Sequence, residues 1–210
     1  MIFLDEFGTH RGMTRRYGRA TRGKRADGAA PSNPGKNVTL VMGLRLRGIV
    51  APFSFEGAMD GNIWDQYIAT QVAPTLRKGD IVVVDGLGAH RTRASRRTVR
   101  ARGALYWILP GYSPDLNPVE NAGSKVKESL RGQEAQTLDG LYDAMGQAIG
   151  QIGRRDARGW FRRAGYLPAL HRQPRRQRKQ ALAQHASKDF SSGHLGARAP
   201  PCGPPTWRPL

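Results

Sequence analysis

The sequence is nearly free of cysteine: Cys202 is the only one among 210 residues. One thiol cannot form an internal disulfide framework, and no Cys-based zinc site can be built from it. A reducing compartment suits such a chain. No apolar run reaches 18 residues, so no membrane-spanning helix is expected. The opening "MIFLDEFGTH" is too short and turns acidic too soon for a secretory signal, which leaves the cytoplasm as the expected location.

Acids are scarce as well. The 16 Asp and Glu face 34 Lys and Arg, giving a formal net charge of +18 and a pI of about 11.2. Such an excess points to a polyanionic partner, nucleic acid first, because Lys and Arg that neutralise phosphates release condensed counterions. A ribosomal-type basic protein has the same charge balance, so charge alone does not decide. Hydrophobic residues make up 39%, enough for the core of one ordinary domain with an extension.

Apolar patterning predicts a mixed α/β architecture. "MIFLD" reads as a buried strand. "NVTLVMGLRL" and "GIVAPFSF" read as two strands joined near Arg47 and Gly48. "MDGNIWDQYIATQVAPTL" is a helix capped by Asp60, with Ile63, Tyr67 and Val72 along one face, closed by Pro74. "IVVV" is a short apolar strand ending at Asp85, "RTRASRRTVRARG" an arginine-striped helix, and "ALYWILP" another buried strand. Helices follow from Pro118 to about Arg131 and through Leu138, Leu141, Tyr142, Met145, Ile149 and Ile152, and "ARGWFRRAGY" closes the pattern. Trp64, Trp107 and Trp160 are expected to fill core. There is no internal repeat. Residues 1–167 thus read as one domain. Residues 168–210 read as a basic Pro-rich tail, largely disordered, with eight Lys or Arg against Asp189 and no apolar period.

Three of the few acids stand at rigid mounts. Asp5 ends the first strand, Asp85 ends "IVVV", and Glu120 falls in the first turn of a helix. Carboxylates brought together suit a hard divalent cation, Mg²⁺ or Mn²⁺, and two such ions about 4 Å apart drive in-line phosphoryl displacement. Each acid also has a plain structural role. An Asp after an apolar strand commonly caps a loop. In "DLNPVE", Asn117 suits an N-cap, Pro118 the first helical position and Glu120 the third, a capping-box arrangement compatible with a metal role. Asp115 reads as a turn residue after Ser113 and Pro114.

"FLDEFG", "IVVVDGLGAH" and "LPGYSPDLNPVENAGSKVK" together resemble the three acidic motifs of mariner-like transposases, in particular the bacterial insertion-sequence 630 group. The 34 residues between Asp85 and Glu120 match that family's spacing, and the resemblance runs from about Ile2 to Tyr166. It implies an RNase H-like fold: a mixed sheet flanked by helices. It implies Asp5, Asp85 and Glu120 as catalytic metal ligands for two Mg²⁺ (or Mn²⁺) ions. It further implies DNA cleavage at transposon ends, strand transfer by the freed 3′-hydroxyl, a homodimer at synapsis, and a cytoplasmic, nucleoid-associated bacterial setting. Gly86 and Gly111 replace residues usual in relatives, and neither change removes a ligand. His90 matches a family position and is otherwise a candidate cap for the arginine helix. Relatives carry an N-terminal helix-turn-helix region, and none precedes the first catalytic strand here. Sequence-specific end binding is therefore expected to be missing, as in a truncated element or one expressed from two frames.

Two basic segments would meet DNA. Arg93, Arg96, Arg97 and Arg100 stripe a helix beside Asp85, with Arg91 just before it. Arg11, Arg15, Arg16 and Arg19 open an arm that continues through Arg22, Lys24 and Arg25 without an acid. Phosphate contacts of this kind position a substrate without specifying sequence. Beside a catalytic transposase domain stand two other readings: a non-catalytic DNA-binding remnant, and a general RNase H-like nuclease, which the Pro-rich motif disfavours.

Overall fold

The computed structural model describes residues 1–29, 35–111 and 113–168. The expected disorder of the tail falls, beyond Pro168, outside the described residues. Five strands, β1 (Ile2–Thr9), β2 (Val38–Arg45), β3 (Gly48–Glu56), β4 (Ile81–Val84) and β5 (Leu105–Ile108), form one sheet in the order β3-β2-β1-β4-β5. The helices are α1 (Gly61–Tyr67), α2 (Arg93–Ala101), α3 (Pro118–Gln133), α4 (Leu138–Gly150) and α5 (Arg154–Arg163).

The strand order follows from which strands are apolar on both sides. β4, and β1 over residues 2–4, are short continuous hydrophobic runs, which only a sheet covered on both faces can bury. β1 pairs antiparallel with β2 and parallel with β4, and β4 pairs parallel with β5. Side chains alternate along β1. Phe3 and Phe7 join Val83 under α3, α4 and α5, while Ile2 and Leu4 join Val82 and Val84 under Trp64, Tyr67 and Val99 from α1 and α2. The parallel register pairs Phe3 with Val83. Carried two residues further, it brings Asp5 level with Asp85.

The α1 segment opens as expected, with Asp60 Oδ1 accepting from the Ile63 amide at 2.8 Å. Beyond Tyr67 the coil widens into a π-turn (Ile68–Val72) and tightens into a 3₁₀ turn at Pro74. Its buried stripe therefore runs Trp64, Tyr67, Ile68 and Val72, with Ile63 only half-buried.

One expectation fails at the sheet edge. β5 is not a buried strand: Leu105 and Trp107 are each 59% exposed. β5 has a neighbour only in β4, and the helices on that face cover β1 and β2 instead. An apolar run at an edge looks identical in sequence to one at the centre. Trp64 is fully buried as expected, and Trp160 packs in part against the α3–α5 side.

Helix α3 approaches β1 closely at Gly123, where an added Cβ would lie 2.1 Å from the Phe7 ring. Gly123→Ala must therefore move the ring or the helix. Overpacking of this kind costs about 1–3 kcal/mol. We expect a loss of that size in chemical denaturation; an unchanged midpoint would mean that Phe7 rotates away freely.

Candidate active site

The Pro-rich segment reaches α3 through a single 3₁₀ turn, Pro114–Leu116, closed by the Asn117 amide donating to the Pro114 carbonyl at 2.9 Å. Asp115 lies in that turn, as its sequence setting suggests. The Tyr166 hydroxyl donates to the Leu116 carbonyl at 2.8 Å, and its ring lies 4.8 Å from Phe3. The segment after α5 thus pins the entry to α3 against the sheet.

Asn117 occupies the N-cap position with extended backbone, but its side chain does not cap the helix. Its amide instead donates to Asp5 Oδ2 at 3.0 Å across the core. The capping box expected from "DLNPVE" is therefore absent. Donation of its NH2 to the buried Asp5 carboxylate fixes the side chain in an orientation in which its Oδ1 accepts from no helix amide. The Asn117 Oδ1 is buried without a partner. Glu120 stands in the first turn of α3, exposed, with only its backbone amide bonded, to the Asn117 carbonyl.

Asp5 is 5% exposed, and its Oδ1 accepts from the Glu6 amide at 2.9 Å. Burial, joined by repulsion from Glu120, Glu6 and Asp85, pushes its pKa up to about 8. Asp85 differs. Burial also works against its charge, but bonds from the His90 ring and the Leu87 amide, and the charges of His90 and Arg91, hold it below the usual carboxylate range. Asp85, Glu120, Asn117, Gly86 and Arg91 line one cavity of about 450 Å³. The three acids singled out in sequence thus share one neighbourhood.

His90 does not cap the arginine helix; the Thr92 hydroxyl does, accepting from the Ser95 amide at 3.2 Å. His90 is fully buried. Its Nδ1 lies 2.5 Å from Asp85 Oδ1 and its Nε2 2.9 Å from Glu6 Oε2. Burial disfavours the imidazolium, yet the bonds and charges of the two carboxylates raise its pKa to about 9. Glu6 was not singled out in sequence, and Asn117 was read only as a helix cap. Glu6 alternates to the opposite face of β1 from Asp5, and nothing in a linear pattern pairs it with a histidine 84 residues away.

The donor set is all oxygen, which suits a hard divalent cation. An environment that resists a bare carboxylate at Asp5 is one that a cation relieves. The residues therefore fit such an ion chemically. They do not yet close on a point: among the described residues no three acids or histidines converge as a metal cluster.

Of the expected DNA-contacting side chains, Arg93, Arg97 and Arg100 are exposed on α2, while Arg96 is half-buried with its Nε unpartnered. Arg15, Arg16 and Arg19 are exposed along an irregular arm, Arg11 is half-buried, and Met13 anchors the arm's start in the core.

The family model for the DDE superfamily endonucleases matches residues 1–142, two-thirds of the chain. The chain belongs to this family. No curated protein matches it. Among solved structures, the Mos1 mariner paired-end complex with Mn is 18% identical, with a TM-score of 0.64 over 78% of this chain and 52% of that one. A pre-cleavage Mos1 transpososome gives 16% and 0.65 over the same shares. The Mos1 catalytic domain alone gives 15% and 0.55 over 78% and 76%. The chain spans about half the length of the transposases in those complexes. This DDE endonuclease domain therefore has the RNase H-like fold of the Mos1 catalytic domain, as its motifs imply. No described helix is long and apolar enough to cross a membrane.

Proposed function

We propose that this DDE endonuclease domain is the catalytic domain of a mariner-like transposase. It cleaves DNA strands at transposon ends and joins the freed 3′-hydroxyl to target DNA. The assignment to the insertion-sequence 630 group rests on "YSPDLNPVEN". One observation carries the reading: Asp5, Asp85 and Glu120, mounted on β1, at the end of β4 and at the start of α3, surround one neighbourhood in which Asp5 is pushed up to about 8. Asp5, Asp85 and Glu120 would hold two Mg²⁺ or Mn²⁺ ions. When bound, such a pair lowers the pKa of an attacking water or hydroxyl and stabilises the leaving oxygen.

The chain's own residues do the rest. Asn117 fixes one Asp5 oxygen, and the Glu6 amide fixes the other. His90 and the Leu87 amide hold Asp85. The 3₁₀ turn and Tyr166 set where Glu120 stands. Arg91, at the cavity wall, meets an incoming phosphate, and the exposed arginines of α2 and of the arm track the strand. DNA is thus the partner, and bringing two ends together requires a second copy of the chain.

The test is nicking and strand transfer on end-bearing DNA in Mg²⁺ or Mn²⁺, with Asp85→Asn as control. Metal-dependent products that the control lacks support the reading. Binding without cleavage favours the second reading, a DNA-binding remnant, which draws on the unconverged donor cluster. Replacing Arg93, Arg97 and Arg100 by alanine is expected to reduce the slope of log affinity against log salt by up to about 3, near 0.9 per lost phosphate contact. A salt titration of DNA binding measures it; an unchanged slope would place the DNA elsewhere.

A further inference from the structure

His90 is fully buried beside Trp64, whose cluster covers the Ile2, Leu4 and Val84 face of the sheet, and it is not among the residues that line the cavity. It is nevertheless held from several sides. Trp64 packs on it with centroids 3.8 Å apart, the His90 amide donates to the Leu87 carbonyl, and the Tyr106 hydroxyl donates to the His90 carbonyl at 2.8 Å. Tyr106 is itself held by the Trp64 indole N–H at 3.1 Å. A histidine that merely filled core would not need a carboxylate on each nitrogen.

We propose that His90 is the positioning residue of Asp85, braced from behind by Glu6. Asp85 Oδ1 is claimed twice, by His90 Nδ1 and by the Leu87 amide at 3.1 Å. Among the described residues no such bond reaches the other oxygen, Oδ2, on a residue that lines the cavity. The carboxylate is thereby held in one orientation with one oxygen free. A carboxylate only accepts hydrogen bonds, so Nδ1 must donate to it. Glu6 Oε2 lies 2.9 Å from Nε2 outside hydrogen-bonding geometry, so it braces the ring by its charge, which favours a proton on that nitrogen. The inference rests on the reading of Asp85 as a metal-site carboxylate. Second-layer partners that orient ligands typically matter 10–100-fold in metal affinity.

The two ring nitrogens can be tested apart. An asparagine amide falls near Nδ1 and keeps the bond to Asp85; a glutamine amide reaches the place of Nε2, beside Glu6, and loses that bond. We expect His90→Asn to retain Mn²⁺ affinity close to wild type, followed by the electron paramagnetic resonance of free Mn²⁺, and His90→Gln to weaken it about 10–100-fold. Both variants open a similar gap beside Trp64, so both should melt lower by similar amounts. Equal Mn²⁺ affinities in the two variants would overturn the proposal and leave His90 a core residue. A second measurement needs no metal: the hydrogen-bonded Nδ1 proton should give a downfield proton resonance that Asp85→Asn removes. Its persistence in that variant would also overturn the proposal. Failure of the wild-type protein to bind Mn²⁺ would strike instead at the proposed function, and the resonance would then decide the role of His90.

Discussion

Glu120→Gln is expected to abolish metal-dependent cleavage and to leave the fold about as stable as before. The Glu120 carboxylate is exposed, and its backbone amide alone is bonded. Gln is nearly isosteric and a good helix former, so local propensity hardly changes. Losing the negative charge from the first turn of α3 removes a favourable interaction with the helix N-terminus, about 0.3–1 kcal/mol at an exposed site. Against that, the charge repels Asp5, and its removal relieves a buried carboxyl already pushed up to about 8. The two effects oppose each other, and the net change should stay within about 1 kcal/mol. Activity has no such offset. A cation at the reacting phosphate supplies several kcal/mol of charge stabilisation, and each factor of ten in rate is about 1.4 kcal/mol. Loss of a ligand should therefore lower cleavage by about a thousandfold or more. Calorimetry and a nicking assay on one preparation measure both. A large fall in melting temperature with cleavage retained would show Glu120 to be structural.

The sheet and its helices were legible in the sequence because both-face burial writes itself as continuous apolar runs, as in "MIFLD" and "IVVV", and because Asp60 and Pro74 punctuate α1 from either end. The mounts of Asp85, just past the end of β4, and of Glu120, in the first turn of α3, were legible in the same way. Asp5 was expected at a strand end and instead lies within β1, which runs on to Thr9 because β2 pairs with it along that stretch. What stayed hidden depends on the third dimension. Trp107 was expected inside because an edge strand and a central strand share one pattern, and only the sheet order exposes it. Asn117 was expected to cap α3, since local rules see a helix start but not the buried carboxylate 112 residues earlier that takes its amide. His90 was expected beside its own helix for the same reason, whereas its partners come from β1 and the end of β4. For Asn117 and His90 a polar partner that local rules do not see overrode a sound local preference.

Asp5 carries the largest such demand, and its removal should stabilise the metal-free protein. Its carboxyl titrates at about 8 in the fold against an ordinary 3.8. Between those values the folded chain holds a proton that the unfolded chain has released, so stability falls as pH rises from about 4 to about 8. His90 acts in the same direction over a later window. Raised from 6.5 to about 9, it adds stability that is complete below pH 6.5 and lost as pH climbs through 9. Asp80, Asp85 and Asp156 are lowered, and their contribution fails only as pH drops below the ordinary carboxylate range. The fall from pH 4 to 6.5 therefore belongs to Asp5. Asp5→Asn should flatten that limb and raise the melting temperature at pH 8 by several degrees, each kcal/mol being worth about 2–4 °C in a chain of this size. The new amide can keep its place, because Asn117 can turn its unpartnered Oδ1 toward it. Mg²⁺ or Mn²⁺ should raise the wild-type melting temperature at pH 8 and leave that of the variant unmoved, and the variant should not cleave. A wild-type stability that is level from pH 4 to 6.5, or a variant that melts lower at pH 8, would show that the site tolerates a bare carboxylate without a cation. In that case the burial of Asp5 beside Glu120, Glu6 and Asp85 would not be what prepares this domain for metal.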